Sequence, residues 1–313
     1  MSLAPIVLFV YNRPQHTLKT LEALMQNELA EKSELFIFCD GPKADATKED
    51  LDKIDAVHTL ILKKQWCKKV SITKAEVNKG LANSIVAGVT EIVNRYGKII
   101  VLEDDIVTAK GFLRYMNEAL NLYENEPKIM HIGSYLPHTN SHKKLPETFL
   151  SRFMSCWGWA TWKTSWNKAN WNESELYEQI KDPKVRYEFN LDGVLNFHEQ
   201  LENNINGSIK TWAILWYTSI FLNGGLCLYP KVSLSKNIGL DGTGENCHTQ
   251  NDEAFFDVSH QVDVLYQRPK ESKIGKRYLK RYYRFGKEST FNKRLKITYL
   301  HYRYQFIKLV KRL

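Results

Sequence analysis

Hydrophobic runs that end abruptly in polar turns recur along the first half of this chain. The runs at residues 4–12, 35–39 and 98–102 lead into the sequences NRP, DGP and EDD. Continuous apolar runs of this length are typical of strands that are buried on both faces of a parallel or mixed sheet. The polar sequences therefore mark the places where three core strands end.

Segments with helical spacing of apolar residues separate these strands. The spacing predicts helices over residues 17–26, 49–64, 85–96 and 112–123, with further strands at 70–73 and 129–132. A helix through Trp212 and Trp216 ends at Gly224-Gly225 and leads into a strand at 226–229. This alternation predicts an α/β fold with a mixed central sheet flanked by helices.

The net charge of +9 is concentrated at the carboxyl end. Residues 270–313 hold 15 of the 44 Lys and Arg residues but two of the 35 Asp and Glu residues. The other 269 residues, with 29 basic and 33 acidic side chains, carry a net charge of −4. We therefore divide the chain into a body, residues 1–268, and a basic amphipathic tail, residues 269–313.

The composition favours a reduced, cytoplasmic location. No stretch approaches the roughly 20 apolar residues that span a bilayer, and the first residues lack the pattern of a signal peptide. The five cysteines are scattered and form no CxxC pair, which is typical of reduced thiols.

Three consecutive acidic residues at the end of a core strand suggest chemistry. Glu103, Asp104 and Asp105 need compensating cations or donors if they are buried, because unpaired buried charges are strongly unfavourable. At the carboxyl edge of an α/β sheet, their oxygens suit Mg²⁺ or Mn²⁺, which could bridge to a diphosphate. The alternative is a solvated acidic turn that precedes the helix at Phe112.

Two further loops have both a functional and a structural interpretation. The loop with Asn78 and Lys79 precedes a helix and could hold a phosphate, or it could be an ordinary loop capped by Asn83 or Ser84. Residues 237–246, NIGLDGTGEN, have the composition of a flexible active-site loop and equally of a plain surface loop.

Tryptophan is concentrated between residues 157 and 171, where five of the eight tryptophans lie. They could form a core around bulky rings or a platform on which sugar rings stack. The spacing of Trp162 and Trp166 is helical and favours core packing for most of them. Trp157 and Trp159 are the candidates for sugar contact.

The basic tail alternates Lys and Arg with aromatic and aliphatic residues, as in KRYLKRYYRF. Such segments lie on anionic membrane surfaces, and they also occur in nucleic-acid-binding proteins. No nucleic-acid-binding motif accompanies the tail, so we expect contact with the inner face of the plasma membrane and no nucleic-acid partner. A simple solvated helix is the further alternative.

Six motifs taken together resemble a known family. In order, they are APIVLFVYNRP, FIFCDGPK, VNKGLANSI, IIVLEDDIV, WGWATW and YPKVSLSKNIGLDGTG, and they span roughly residues 4–250. Their order and spacing resemble the bacterial sugar transferases related to N-acetylglucosaminyltransferase I, which have the GT-A glycosyltransferase fold. The resemblance implies a nucleotide-sugar donor, expected to be UDP-linked, above a divalent Mn²⁺ or Mg²⁺ ion.

The resemblance also implies roles for the residues that match the motifs. Asp105 would bind the metal ion, while Glu103 and Asp104 would hold ribose and sugar hydroxyls. Donor binding would also involve Arg13 at the nucleotide or its phosphates, Asp40 at the base, and Asn78 or Lys79 in the following loop.

The chain departs from its eukaryotic relatives at one position. Those relatives place a catalytic aspartate in the stretch that matches TWAILW, where this chain has Ala213, Ile214 and Leu215. An inverting transfer needs a base within hydrogen-bond reach of the acceptor hydroxyl. Asp241 and Glu245 are our candidates for that base, with Asp192 after them.

These observations predict a metal-dependent, inverting glycosyltransferase for a cell-surface glycan or a lipid-linked acceptor. Residues 1–135 would form its nucleotide-sugar-binding half and residues 150–268 its acceptor half. Two alternatives are a nucleotidyltransferase that makes a nucleotide sugar and a non-catalytic carbohydrate-binding protein that uses the tryptophans.

Overall fold

A computed structural model describes residues 3–139, 141–242 and 256–286 of the chain. The strands are β1 (Ile6–Val10), β2 (Glu34–Cys39), β3 (Lys69–Lys74), β4 (Lys98–Glu103), β5 (Ile106–Thr108), β6 (Ile129–Gly133), β7 (Thr148–Ser151), β8 (Trp159–Trp162), β9 (Leu226–Pro230) and β10 (Ser235–Asn237). The α-helices are α1 (Pro14–Met25), α2 (Lys48–Ile61), α3 (Leu81–Tyr96), α4 (Phe112–Leu122), α5 (Lys163–Trp166), α6 (Glu173–Gln179), α7 (Pro183–Phe189), α8 (Phe197–Ile205), α9 (Trp212–Leu222) and α10 (Lys273–Phe285).

Eight of the described strands form one mixed sheet, in the order β3-β2-β1-β4-β8-β6-β9-β7. The first four strands of this order are parallel, whereas β8 is antiparallel to both β4 and β6. The short strands β5 and β10 pair with each other as a separate antiparallel ribbon. The predicted fold class, α/β with a mixed central sheet flanked by helices, is confirmed.

Hydrophobic cores cover both faces of the sheet, as the continuous apolar runs predict. On β1, Leu8 packs into the core that contains α1, α2 and α4, while Phe9 packs into the core that contains α3 and α9. Successive residues of a strand point to opposite faces, so a strand between two cores needs apolar residues throughout. The carboxyl ends of β1, β2 and β4 therefore lie side by side at one edge of the sheet.

The tryptophan-rich segment forms a strand where its spacing suggested a helix. Residues Trp159–Trp162 are strand β8, and helix α5 begins only at Lys163 and lasts one turn. Trp162 and Trp166 thus belong to different elements, although four residues separate them. The prediction of helical spacing is wrong there, but the prediction of core packing is confirmed, because both rings are buried.

The first part of the basic segment is built into the fold. Helix α10 packs Gly275 onto the ring of Phe149, and it buries Tyr278 and Leu279. The Tyr278 hydroxyl donates to the carbonyl of Pro137 at 2.7 Å. The described part of the tail, as far as residue 286, therefore packs onto the body. Within the described ranges, no helix combines the length and the apolar character that crossing a membrane requires.

Candidate active site

A cavity of about 530 Å³ opens along the carboxyl ends of four neighbouring strands, β3, β2, β1 and β4. Four adjacent strands at about 4.8 Å spacing extend over roughly 14 Å, which is long enough for an extended nucleotide. The described residues that were predicted as site residues and that line this cavity are Arg13, Asp40, Asn78, Lys79, Glu103, Asp104, Asp105 and Trp157. The fold thus brings together side chains that are up to 144 positions apart in sequence.

Arg13 joins the acidic turn to the start of helix α1. It precedes Pro14, whose fixed φ angle favours the first helical position. Its guanidinium donates from Nε and Nη2 to the two carboxylate oxygens of Asp104, and from Nη2 to Asp105 Oδ2 at 2.9 Å. The Nη1 atom is buried and has no hydrogen-bond partner among the described residues.

The acidic turn holds more negative charge than Arg13 compensates. Burial, followed by repulsion from Asp105 and Asp104, raises the pKa of Glu103 to about 8. Burial also raises the pKa of Asp104 to about 6, although Arg13 acts in the opposite direction. Burial alone would lower the pKa of Arg13, but the two aspartates more than offset this and raise it.

The donor set of this turn fits a divalent cation. With all three carboxylates ionised, the turn and Arg13 together carry a charge of −2, which one divalent ion would neutralise. Asp105 Oδ1 and both oxygens of Glu103 form no hydrogen bond with any described residue. Carboxylate oxygens are the ligands that Mg²⁺ and Mn²⁺ prefer. In the described ranges no three His, Cys, Asp or Glu side chains form a metal-binding group, so an ion here would need further ligands.

The segment after β10 packs directly on this turn. The amide of Ile238 donates to the carbonyl of Asp105 at 2.9 Å. A Cβ atom added to Gly239 would lie 2.1 Å from Asp105 Oδ2 and 2.8 Å from Arg13 Nη1, so no larger residue fits there without movement. Two residues later, Asp241 Oδ2 lies 3.1 Å from His16 Nε2 on helix α1.

The loop between β3 and α3 is tied to the end of β2. The carboxylate of Asp40 accepts hydrogen bonds from the amides of Gly41, Lys79 and Gly80, at 2.8–2.9 Å. These amides are therefore already paired with a carboxylate at the start of the helix, where a phosphate was the predicted anion. The Lys79 side chain is exposed at the cavity, and it forms no ion pair with any carboxylate that the structure describes.

The two candidate sugar-contacting tryptophans lie in different surroundings. Trp157 is partly exposed, lines the cavity, and packs edge-on against Tyr135 with ring centroids 4.4 Å apart. Trp159 is fully buried and stacks on His131 and Trp212. It has no face open to a sugar, and it belongs to the core.

The candidate bases lie at different distances from the cavity. Asp241 lies at the rim, next to Leu240, which lines the cavity. Asp192 lies away from the cavity and forms ion pairs at 2.9 Å with Lys276 and Lys280 of α10, so it is not available as a base. Glu245 lies outside the described residues. Ala213, at the start of α9, also lines the cavity.

Two residues of the site were not predicted from the sequence. Gly239 was part of the glycine-rich loop, but nothing in that loop distinguished it from its neighbours. His16 follows the NRP sequence by two residues, and this closeness to a strand end was the one signal that could have identified it.

Comparison with known proteins gives structural likenesses of low identity. A mannosyltransferase, PcManGT from Pyrobaculum calidifontis, in complex with GDP-Man and Mn²⁺, matches 57% of this chain and 46% of its own, with 11% identity and a TM-score of 0.37. TarS from S. aureus matches 74% of this chain and 36% of its own, with 10% identity and a TM-score of 0.41. The galactosyltransferase LgtC, in complex with donor and acceptor sugar analogues, matches 72% of both chains, with 8% identity and a TM-score of 0.35.

No protein-family model and no curated protein sequence matches the chain. The chain spans less than half the length of PcManGT and of TarS. At these identities and TM-scores, the likenesses do not by themselves assign an activity to this protein.

Proposed function

We propose that this protein is a metal-dependent glycosyltransferase of the GT-A type, with a UDP-linked sugar as donor. The observation that supports this most is the acidic turn at Glu103–Asp105. With all three carboxylates ionised, it retains a charge of −2 after pairing with Arg13, and it faces a cavity large enough for a nucleotide. A divalent ion would neutralise this turn, and Lys79 would add positive charge for the diphosphate of the donor.

The side chains of the cavity suit the parts of such a donor. Lys79 supplies positive charge for the diphosphate, and Arg13 Nη1 is a donor without a partner among the described residues. The oxygens of Glu103, which form no hydrogen bond with a described residue, can accept from ribose or sugar hydroxyls. Asn78 donates from Nδ2 to the carbonyl of Gly41 at 3.0 Å and thereby holds the loop that carries Lys79. Asp105 Oδ1 would hold Mn²⁺ or Mg²⁺, which neutralises a leaving diphosphate when bound.

Asp241 is our proposed base for an inverting transfer, with Glu245 as the second candidate. Its carboxylate is 45% exposed at the cavity rim, where an acceptor hydroxyl can approach. Trp157 lies on the same cavity and offers an aromatic face to the acceptor glycan. The donor would occupy the half formed by residues 1–135, and the acceptor the half formed by residues 150–268.

The test is Mn²⁺-dependent hydrolysis of a panel of nucleotide sugars by the native chain and by Asp105→Asn. We expect slow hydrolysis of one donor, and a loss of at least 100-fold in the variant, because an amide oxygen is a weaker ligand than a carboxylate. Asp263→Asn is the control, since that carboxylate is 76% exposed and lies outside the cavity. Native-level hydrolysis by Asp105→Asn would contradict the metal site.

Two further assays separate the alternatives. A nucleotidyltransferase would release pyrophosphate from a nucleoside triphosphate and a sugar phosphate. A carbohydrate-binding protein would bind glycans without metal and turn over no donor. The carbohydrate-binding alternative has little exposed tryptophan on which a sugar could stack. Five of the tryptophans are buried, namely Trp159, Trp162, Trp166, Trp212 and Trp216.

We also propose that the outer face of α10 holds the enzyme at an anionic membrane, at the cytoplasmic side. Lys273, Arg277, Arg281 and Arg284 recur at helical spacing on the exposed face of α10, and none pairs with a carboxylate in the described ranges. The opposite face is fixed to the body through Tyr278 and Leu279. Each basic residue near an anionic surface contributes on the order of 1 kcal/mol.

Vesicle flotation tests this contact. We expect the triple variant Arg277→Gln, Arg281→Gln, Arg284→Gln to bind vesicles with phosphatidylserine about 100-fold more weakly, because it loses three positive charges at about 1 kcal/mol each. The control carries the same change of charge at the exposed Lys32, Lys63 and Lys184. Equal loss of vesicle binding in both variants would contradict a specific docking face. Binding of the native chain to RNA but not to vesicles would favour a nucleic-acid partner.

A further inference from the structure

Three backbone amides donate hydrogen bonds to the Asp40 carboxylate. Oδ1 accepts from the amide of Gly41 at 2.9 Å and from that of Lys79 at 2.8 Å, and Oδ2 accepts from the amide of Gly80 at 2.9 Å. An ionised carboxylate has about four acceptor positions. Three of them are thus filled by the protein's own backbone.

The same two chain segments are joined at other points. The amide of Asn78 donates to the carbonyl of Pro42 at 3.1 Å, and Asn78 Nδ2 donates to the carbonyl of Gly41. Gly41 packs so closely that a Cβ atom there would lie 2.5 Å from the backbone of Val77. The turn after β2 and the loop before α3 therefore form one unit, with Asp40 at its centre.

In this arrangement, the ammonium group of Lys79 is the part of the loop that can bind an anionic ligand. Asp40 occupies the amides of Lys79 and Gly80, so the loop presents the Lys79 ammonium to the cavity in place of amide donors. Gly80 adopts a φ of +76°, a conformation in which glycine is favoured, and helix α3 begins at the next residue. The position of Lys79 is thus set by the bonds of Asp40 on either side of it.

We infer that Asp40 is a positioning residue, which acts on the diphosphate of the donor through Lys79 and does not select the base. This inference rests on the proposed function, because it assumes a nucleoside diphosphate in the cavity. It differs from a role in base recognition in a measurable way. A positioning residue affects all nucleotides equally, whereas a base contact affects one base.

Asp40→Asn distinguishes these roles. Asparagine keeps one acceptor oxygen but places an NH₂ group against an amide that previously donated to a carboxylate, which leaves two donors facing each other. We expect the affinities for UDP, CDP, GDP and ADP, measured calorimetrically with Mn²⁺, to fall by one common factor of about 10. Asp45→Asn, an exposed carboxylate in the same turn, is the matched control.

Lys79→Ala completes the test. If Asp40 acts through Lys79, the single variants weaken all four nucleotides alike, and the double variant binds no more weakly than Lys79→Ala alone. Hydrogen exchange of the peptide with residues 78–80 should rise in Asp40→Asn without any nucleotide. This second readout does not depend on donor binding.

Two results would overturn the inference while leaving the proposed function intact. One is a loss of affinity confined to a single base, and the other is full additivity of Asp40→Asn and Lys79→Ala. Unchanged hydrogen exchange in Asp40→Asn would also contradict it. If the native chain binds none of the four nucleotides, the proposed function itself fails, and the inference fails with it.

Discussion

His16 Nε2 lies 3.1 Å from Asp241 Oδ2, and this contact joins the first turn of helix α1 to the segment that follows β10. An ionised carboxylate only accepts hydrogen bonds, so His16 donates. The His16 side chain is 15% exposed and that of Asp241 is 45% exposed, so the pair lies at the edge of the cavity. Between β10 and this contact, Gly239 rests on the carboxylate of Asp105. The pair therefore fixes a segment that covers the acidic turn.

The first prediction concerns this pair. We expect Asp241→Asn to lower the rate of transfer by roughly 100-fold or more with donor affinity unchanged, because an amide cannot accept the acceptor's proton. His16→Ala should lower the rate less, and His16→Gln should restore it, since glutamine keeps an N–H donor near the position of Nε2. Single-turnover kinetics and donor titration measure the two quantities. A native rate in Asp241→Asn would place the base elsewhere.

The second prediction concerns Gly239. We expect Gly239→Ala to reduce metal-dependent donor hydrolysis by about 100-fold or more, because its Cβ atom would displace Asp105 Oδ2 or Arg13 Nη1. The melting temperature should change by only a few degrees, since the clash lies at the cavity. Gly133→Ala is the matched control, because an added Cβ atom there would meet no described atom closer than 3.7 Å. Unchanged hydrolysis in Gly239→Ala would show that the segment moves freely away from the turn.

The polar residues at the carboxyl edge of the sheet could be predicted from the sequence, because each of them closely follows the strand that ends there. Apolar runs with β-branched residues define β1, β2 and β4, and parallel strands must bring their carboxyl ends together. Arg13, Asp40 and Glu103–Asp105 follow those runs directly. Their convergence on one cavity thus follows from strand order alone.

Pairings between distant segments could not be predicted. His16 and Asp241 are 225 positions apart, and two of the three amides that Asp40 binds lie 39 and 40 positions away from it. No local pattern marks a residue as the partner of another segment's backbone. The strand β8 was missed for a related reason, since the spacing of its tryptophans with Trp166 imitates a helix where a strand and a short helix adjoin.

The third prediction separates the two candidate tryptophans. We expect Trp159→Ala to lower the free energy of unfolding by about 3–5 kcal/mol, as for a large buried side chain whose cavity cannot collapse. Trp157→Ala should lower the free energy of unfolding by less and also weaken acceptor binding, because its ring is partly exposed on the cavity. Urea unfolding and glycan titration measure these effects. Equal destabilisation by both substitutions would assign Trp157 to the core as well.

The last prediction concerns the buried His131. Its Nδ1 accepts from Trp216 Nε1 at 3.2 Å, and its Nε2 lies 2.9 Å from the carbonyl of Ser155, so the neutral ring is satisfied on both sides. Burial lowers the pKa of His131 from 6.5 to about 3. The unfolded chain therefore takes up a proton near pH 6.5, whereas the folded chain does so only near pH 3.

The stability that neutral His131 provides is complete above pH 6.5 and is lost as the pH falls towards 3. Between pH 6 and pH 4, we expect the free energy of unfolding to fall by about 1.4 kcal/mol per pH unit more in the native chain than in His131→Phe. Trp216→Phe is the control, because it removes the donor to Nδ1 but keeps the titrating ring, so its slope should match that of the native chain. Urea titrations at several pH values measure these slopes. Equal slopes in the native chain and in His131→Phe would show that the ring is protonated in the folded protein near its ordinary pKa.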